Sequence, residues 1–126
     1  MSTKKRILVV DDEVSITRNL KLTLETSGEY EVHTENLATQ ALAAARIFRP
    51  DLILLDLLMP DMEGGDLAAL FKADPLFRDT PVIFLTALVS NKETDGAEVV
   101  SGAHLFVAKP VDVSKLMQII EKHIRK

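Results

Sequence analysis

The chain has no cysteine in its 126 residues. Disulfides and thiolate metal sites are thereby excluded, and a reducing compartment is compatible with what remains. Basic residues are not in excess either: 15 Lys and Arg stand against 19 Asp and Glu, for a net charge of −4. A nucleic-acid footprint needs a concentrated basic face, and this balance argues against one. Long apolar runs are missing. No segment approaches membrane-spanning length. Ile7–Val10, behind the polar and basic Met1–Arg6, is far shorter than a signal-peptide core. There is no internal repeat, low-complexity tract or linker. What these absences leave is one soluble, cytoplasmic domain over residues 1–126. Its hydrophobic content of 47% with 27% charged residues is ordinary for a globular protein with a real core.

What is present is a strict alternation of short apolar runs and helix-period stripes. The central run is Leu52–Leu55, between Pro50-Asp51 and Asp56. Four large aliphatics are too few for a helix and read as a strand buried on both faces. Ile7–Val10, Val82–Leu85 and Leu105–Ala108 read likewise. Tyr30–Thr34 alternates apolar and polar residues, as an edge strand does. Between the strands, Ile16, Leu20 and Leu24 predict a first helix ending near Ser27-Gly28, and Ala38, Ala41, Leu42, Ala45 and Phe48 a second stopped before Pro50. Leu67, Leu70 and Phe71 mark a third, terminated by Asp74-Pro75. Ser90–Ser101 is expected to hold a fourth, short or frayed, because its first half is polar and Gly96 costs about 1 kcal/mol against alanine. Asp112 is expected to cap a fifth, with Val113, Leu116, Met117, Ile120 and Ile124 on its buried face. Five strand–helix units imply a doubly wound α/β fold: a parallel sheet between two layers of helices.

The residues that follow the central strands carry the chemistry. Asp11-Asp12 follow the first strand, Asp56 the third, Thr86 the fourth and Lys109 the fifth. In a parallel sheet these ends share one edge, where open α/β sheets bind ligands. Three converging carboxylates repel, and a hard divalent cation with oxygen ligands, Mg²⁺ above all, relieves that. The lysine and the hydroxyl suit an incoming phosphoryl group. A carboxylate can itself be the nucleophile, giving an aspartyl phosphate. Singly, each residue has a blander role: helix-capping acids at Asp11–Glu13, a turn residue at Asp56, a cap at Thr86, an exposed lysine at Lys109. Their joint placement is what favours the functional reading.

Val9-Val10-Asp11-Asp12-Glu13, Asp56-Leu57-Leu58-Met59-Pro60 with Gly64, Thr86-Ala87 and Lys109-Pro110 occur in the order and approximate spacing of a known family. The chain resembles the receiver domain of bacterial response regulators, the CheY-like phosphoacceptor half of two-component signalling. That resemblance implies a flavodoxin-like (βα)5 three-layer sandwich with strand order 2-1-3-4-5. It implies that Asp56 accepts a phosphoryl group from a phosphohistidine on a sensor histidine kinase or histidine phosphotransfer protein. Asp11, Asp12, Asp56 and the Leu58 backbone carbonyl would hold Mg²⁺, and Lys109 would pair with the phosphoryl oxygens. The Lys109–Pro110 bond would be cis. Thr86 and Phe106 would act as the switch pair, biasing a partner face made of the fourth helix, fifth strand and fifth helix. Such a domain is a signalling switch and not an enzyme, although it assists its own phosphorylation and slow dephosphorylation. It would act on a downstream protein or an output domain outside this chain, with no direct nucleic-acid or membrane contact. Phosphorylation-dependent homodimerisation stays open.

Particular residues sharpen the expectation. Leu58 and Leu88, two residues past Asp56 and Thr86, offer nothing to orient an attacking water, which predicts a long-lived phosphoryl state. Phe106 lacks the hydroxyl a tyrosine would bring. The fifth strand is expected at the second sheet edge. His33, His104 and His123 lack metal-ligand spacing, and Met59 and Met62 read as loop packing. Three other functions compete. A Mg²⁺-dependent phosphohydrolase of the haloacid-dehalogenase type would want an acid where Leu58 stands. A pseudo-receiver, binding partners without phosphotransfer, would lack one of the key residues. A nucleotide- or flavin-binding protein would want a glycine-rich loop where Asp11-Asp12-Glu13 would repel phosphate.

Overall fold

The computed structural model describes residues 4–86, 98–101, 104–109 and 111–124. The chain runs β1 (Lys5–Val10), α1 (Val14–Thr26), β2 (Tyr30–Glu35), α2 (Ala38–Phe48), β3 (Leu52–Asp56), α3 (Gly64–Ala73), β4 (Val82–Thr86), β5 (Glu98–Ser101), β6 (His104–Ala108) and α4 (Val113–His123). The sheet order is β2-β1-β3-β4-β6-β5. Five strands, β2-β1-β3-β4-β6, are mutually parallel and reproduce the expected order, with β6 standing as the fifth parallel strand.

Why the central strands are runs rather than alternations follows from the layers. Ile7, Val9, Leu52, Leu54, Ile83, Leu85 and Val107 point to one face, under Leu20 and Leu24 of α1 and Leu116, Ile119 and Ile120 of α4. Leu8, Val10, Ile53, Leu55 and Phe84 point to the other, under Ala41 and Ala45 of α2 and Leu67 and Phe71 of α3. Successive side chains alternate sides, so a strand covered twice must be apolar at every position. Each such side chain contributes about 1.5–3 kcal/mol of burial. Every residue of β3 is buried, Asp56 included. β2 is the expected edge, with exposed Glu31 and His33 alternating with buried Tyr30 and Val32.

The helices stop where local chemistry stops them. Gly28 takes a φ of 81° just past α1. Arg49 closes α2 in the left-handed region, its N–H donating to the Ala45 carbonyl at 2.7 Å. Asp74 ends α3, its Oδ1 accepting the Leu76 N–H at 2.9 Å. Asp112 caps α4 as expected, accepting the Lys115 N–H at 3.2 Å.

Three expectations need correction. The C-terminal part of the region expected to be a fourth helix, Glu98–Ser101, is a strand antiparallel to β6, with Val99 opposite Phe106 and Val100 opposite Leu105. Residues 90–97 lie outside the described residues. The adjacent β-branched pair Val99-Val100 favours the extended form, and β5 then takes the sheet border that was expected to fall to the fifth parallel strand. Finally, Leu70 was placed on the buried stripe of α3 but is 44% exposed, its turn being covered by Leu67, Ala68 and Phe71.

Candidate functional site

The parallel strands deliver their carboxyl ends to one rim. Asp11 follows β1 and stays in the ladder for one more residue, its N–H donating to the Glu35 carbonyl at 3.1 Å. It is wholly buried. Asp11 Oδ1 accepts the Glu13 N–H at 3.0 Å, so one oxygen organises the approach to α1, whose N-cap Glu13 makes no side-chain cap hydrogen bond. The other oxygen, Oδ2, is buried and accepts no hydrogen bond from the described residues. It faces Lys109 Nζ at 2.8 Å.

Asp56 ends β3 opposite Leu85. Its Oδ1 accepts the Leu58 N–H at 3.3 Å and lies 3.3 Å from Lys109 Nζ. Burial first, then the charge of Asp11, pushes its carboxyl up to about 6, against the pull of Lys109 and the Leu58 amide. Lys109 leaves β6 with its N–H donating to the Thr86 carbonyl at 2.9 Å. Burial draws its ammonium down, yet the adjacent carboxylates of Asp11 and Asp56 hold it above the ordinary lysine value. Glu13 Oε1, at 3.6 Å, is a third acid on the same ammonium.

Carboxylate oxygens of Asp11, Asp12 and Asp56 all lie within 4.8 Å of one another, with Asp12 exposed on the open side. This donor set fits a hard divalent cation: three clustered carboxylates, one offering a buried oxygen that lacks a hydrogen bond. Of the other residues singled out in the sequence, Thr86 is buried at the end of β4, one position past Leu85. Leu58 is 55% exposed beside Asp56. Phe106 stacks on Phe84, ring centroids 5.3 Å apart. Leu88 and Pro110, and with Pro110 its peptide bond to Lys109, lie outside the described residues. Met59 is buried and Met62 packs against the same cluster, as loop packing requires.

Residues 7–121 match the family described as the response regulator receiver domain. The chain belongs to that family. The receiver is 36% identical to the DNA-binding response regulator MtrA of Mycobacterium tuberculosis H37Rv over 127 residues, which is 98% of this chain and 52% of that one. It is 44% identical to the response regulator PleD of Caulobacter vibrioides over 108 residues, 85% of this chain and 23% of that one. The receiver thus spans about half the length, or less, of these curated relatives. Among solved structures, the chemotaxis response regulator CheY4 of Vibrio cholerae superposes with a TM-score of 0.80 at 28% identity, over 97% of this chain and 100% of that one.

One residue of this receiver's site was not singled out from the sequence, and another was marked without its reason. Asn36 follows β2, and its Nδ2 donates to the Asp11 carbonyl at 2.8 Å and to Thr17 Oγ1 at 3.0 Å, holding the acid pair from behind. The strand read from the sequence ends at Thr34, so its following residue is Glu35, and no local signal picks out Asn36. Gly64 begins α3 against the backbone that follows β3: a Cβ there would run into the Asp56 carbonyl oxygen and come within 2.8 Å of Leu57 Cα. The family pattern marked that glycine, but only the packing gives the reason. Among the described residues, no helix is long and apolar enough to cross a membrane.

Proposed function

We propose that this receiver is a phosphorylation switch in a two-component relay. Asp56 takes the phosphoryl group of a phosphohistidine carried by a sensor kinase or phosphotransfer protein. One observation carries the reading: the Lys109 ammonium lies 2.8 Å from Asp11 and 3.3 Å from Asp56, with the Asp12 carboxylate on the open side of the same cluster. An Asp56 oxygen attacks phosphorus, the P–N bond breaks, and its electron pair leaves with the imidazole nitrogen, which takes up a proton. Lys109 neutralises charge on the phosphoryl oxygens, and Thr86, on the neighbouring strand end, supplies a hydroxyl to them. Asp11, Asp12, Asp56 and the Leu58 carbonyl would hold Mg²⁺, which would neutralise the carboxylates and screen the incoming phosphate.

Phe106 and Thr86 lie on adjacent strands, and β6 with α4 forms the face through which phosphorylation reaches a partner. The output is a downstream protein or further chain beyond residues 1–126, which we read as one receiver domain. The DNA binding named for MtrA is not carried over, since this chain covers 52% of that protein and its net charge of −4 argues against it.

The test is intact mass after incubation with acetyl phosphate and Mg²⁺, with Asp56→Asn as control. One phosphoryl addition that requires both Mg²⁺ and Asp56 is expected. No addition, with Mg²⁺ shown to bind, would leave a pseudo-receiver acting through its surface alone.

A further inference from the structure

The loop from Leu57 to Glu63 carries the backbone next to Asp56, and its two ends are tied differently from its middle. At the near end, the Leu57 N–H donates to the Leu85 carbonyl at 3.1 Å and the Leu58 N–H to Asp56. At the far end, the Gly64 N–H donates to the Leu57 carbonyl at 2.9 Å, closing the loop on itself. Met59 is buried inside it. Among the described residues, Asp61 is the one member of Pro60–Glu63 whose side chain makes a hydrogen bond, and it reaches outside the loop. Its Oδ2 accepts the Thr39 N–H at 3.0 Å and the Thr39 hydroxyl at 3.2 Å.

Thr39 is in the first turn of α2, whose own N-cap position holds Leu37, a residue with no side-chain acceptor. The orphan N–H groups of a helix start want such an acceptor. Asp61 provides it from 22 residues away, and its negative charge lies at the positive end of the helix. The Thr39 amide, foremost, holds the Asp61 carboxyl below the usual range, so it is ionised at neutral pH. A helix packed on the sheet by Ala38, Ala41 and Ala45 is a rigid post. A loop tied to it cannot drift from Asp56.

We infer that Asp61 is a positioning residue: clamped on α2, it holds the Leu57–Glu63 loop so that the Leu58 backbone stays beside Asp56. The consequence for Mg²⁺ and phosphoryl transfer rests on the proposed function; the clamp itself does not. Residues that support a ligand without touching it typically change affinity on the order of 10-fold or more when removed.

A plain helix cap would show the same two hydrogen bonds, so the experiment separates cap from clamp. Asp61→Ala is compared with Asp61→Ala carrying Leu37→Ser, which gives α2 a local cap in its extended N-cap position. Thermal melting, hydrogen exchange of the 57–63 amides and Mg²⁺ affinity by calorimetry are read on each. Asp61→Ala is expected to lower Tm, speed exchange in the loop and weaken Mg²⁺ roughly 10-fold. Adding Leu37→Ser is expected to restore Tm while exchange stays fast and Mg²⁺ binding weak. Asp61→Asn, which keeps an oxygen for the Thr39 N–H, is expected to recover most of the protection. Recovery of exchange and affinity by Leu37→Ser would reduce Asp61 to a cap and overturn the inference. So would unchanged exchange in Asp61→Ala. If the unaltered chain neither binds Mg²⁺ nor takes a phosphoryl group, the proposed function fails, and the exchange comparison still decides the clamp.

Discussion

Lys109 Nζ stands 2.8 Å from Asp11 Oδ2 and 3.3 Å from Asp56 Oδ1, bridging two acids that burial has placed side by side. With its side chain only 13% exposed, Lys109 is their built-in counter-charge. Lys109→Met is therefore expected to destabilise the metal-free protein by about 3 kcal/mol, because it leaves buried carboxylates unpaired. Melting in EDTA and again in Mg²⁺ checks this: the loss should be large in EDTA and smaller with the ion. Equal losses in both would refute the counter-charge role.

The raised Asp56 carboxyl gives a pH signature for the metal-free chain. Its folded value of about 6 exceeds the ordinary 3.8, so between those values the folded state holds the proton more tightly than the unfolded state. Stability from this group is thus full below about 4 and lost as pH rises through 6. Asp56→Asn removes the ionisation, and is expected to raise stability at pH 7 by roughly 1–3 kcal/mol while changing little at pH 4. Urea unfolding across pH 4–8 in EDTA measures it. A parent protein more stable at pH 7 than Asp56→Asn would contradict the reading.

Gly64→Ala places a Cβ against the Asp56 carbonyl and Leu57 Cα, and backbone atoms cannot step aside as a flexible side chain can. A cost of about 1–3 kcal/mol is expected. Slower phosphorylation by acetyl phosphate should accompany it, since the displaced atoms belong to the acceptor loop. Gly65→Ala, with open space around it, is the matched control and should be near neutral.

Leu58 is more than half exposed next to Asp56 and carries no group that can orient water. Leu58→Asn or Leu58→Glu is expected to speed decay of the phosphorylated protein several-fold, within the roughly 100-fold reach of a positioned base. Intact mass over time after removal of the donor reads the rate. Unchanged decay would show that this position does not govern the attack of water.

Asp11, Asp56 and Lys109 were legible because each directly follows an unbroken apolar run, and a run names both the strand and its end. The order of strands came only from likeness to a family, since runs do not say which neighbour each chooses. Glu98–Ser101 was misread because strict alternation demanded a helix there, and the local preference of Val99-Val100 was given no vote. Ile119, absent from the expected stripe of the last helix, is buried with Leu116 and Ile120 because α4 meets the sheet over a face wider than a four-residue spacing marks. Asn36 and Asp61 were beyond reach for a different reason: their partners, Asp11 and Thr39, are 25 and 22 residues away in the chain and meet them only in the fold.

The direction of β5 has a consequence for how the rim is wired. Every parallel strand reaches the rim with its carboxyl end, but β5 runs the other way, so Glu98, opposite Val107, is its rim-side end. Thr86, the last residue of β4, and Glu98, the first of β5, therefore lie on the same side of the sheet. Both anchor points of residues 87–97 belong to the border that carries Asp56 and Lys109. Thr86, opposite Ala108, and Glu98, opposite Val107, are thus paired to successive residues of β6 at that rim.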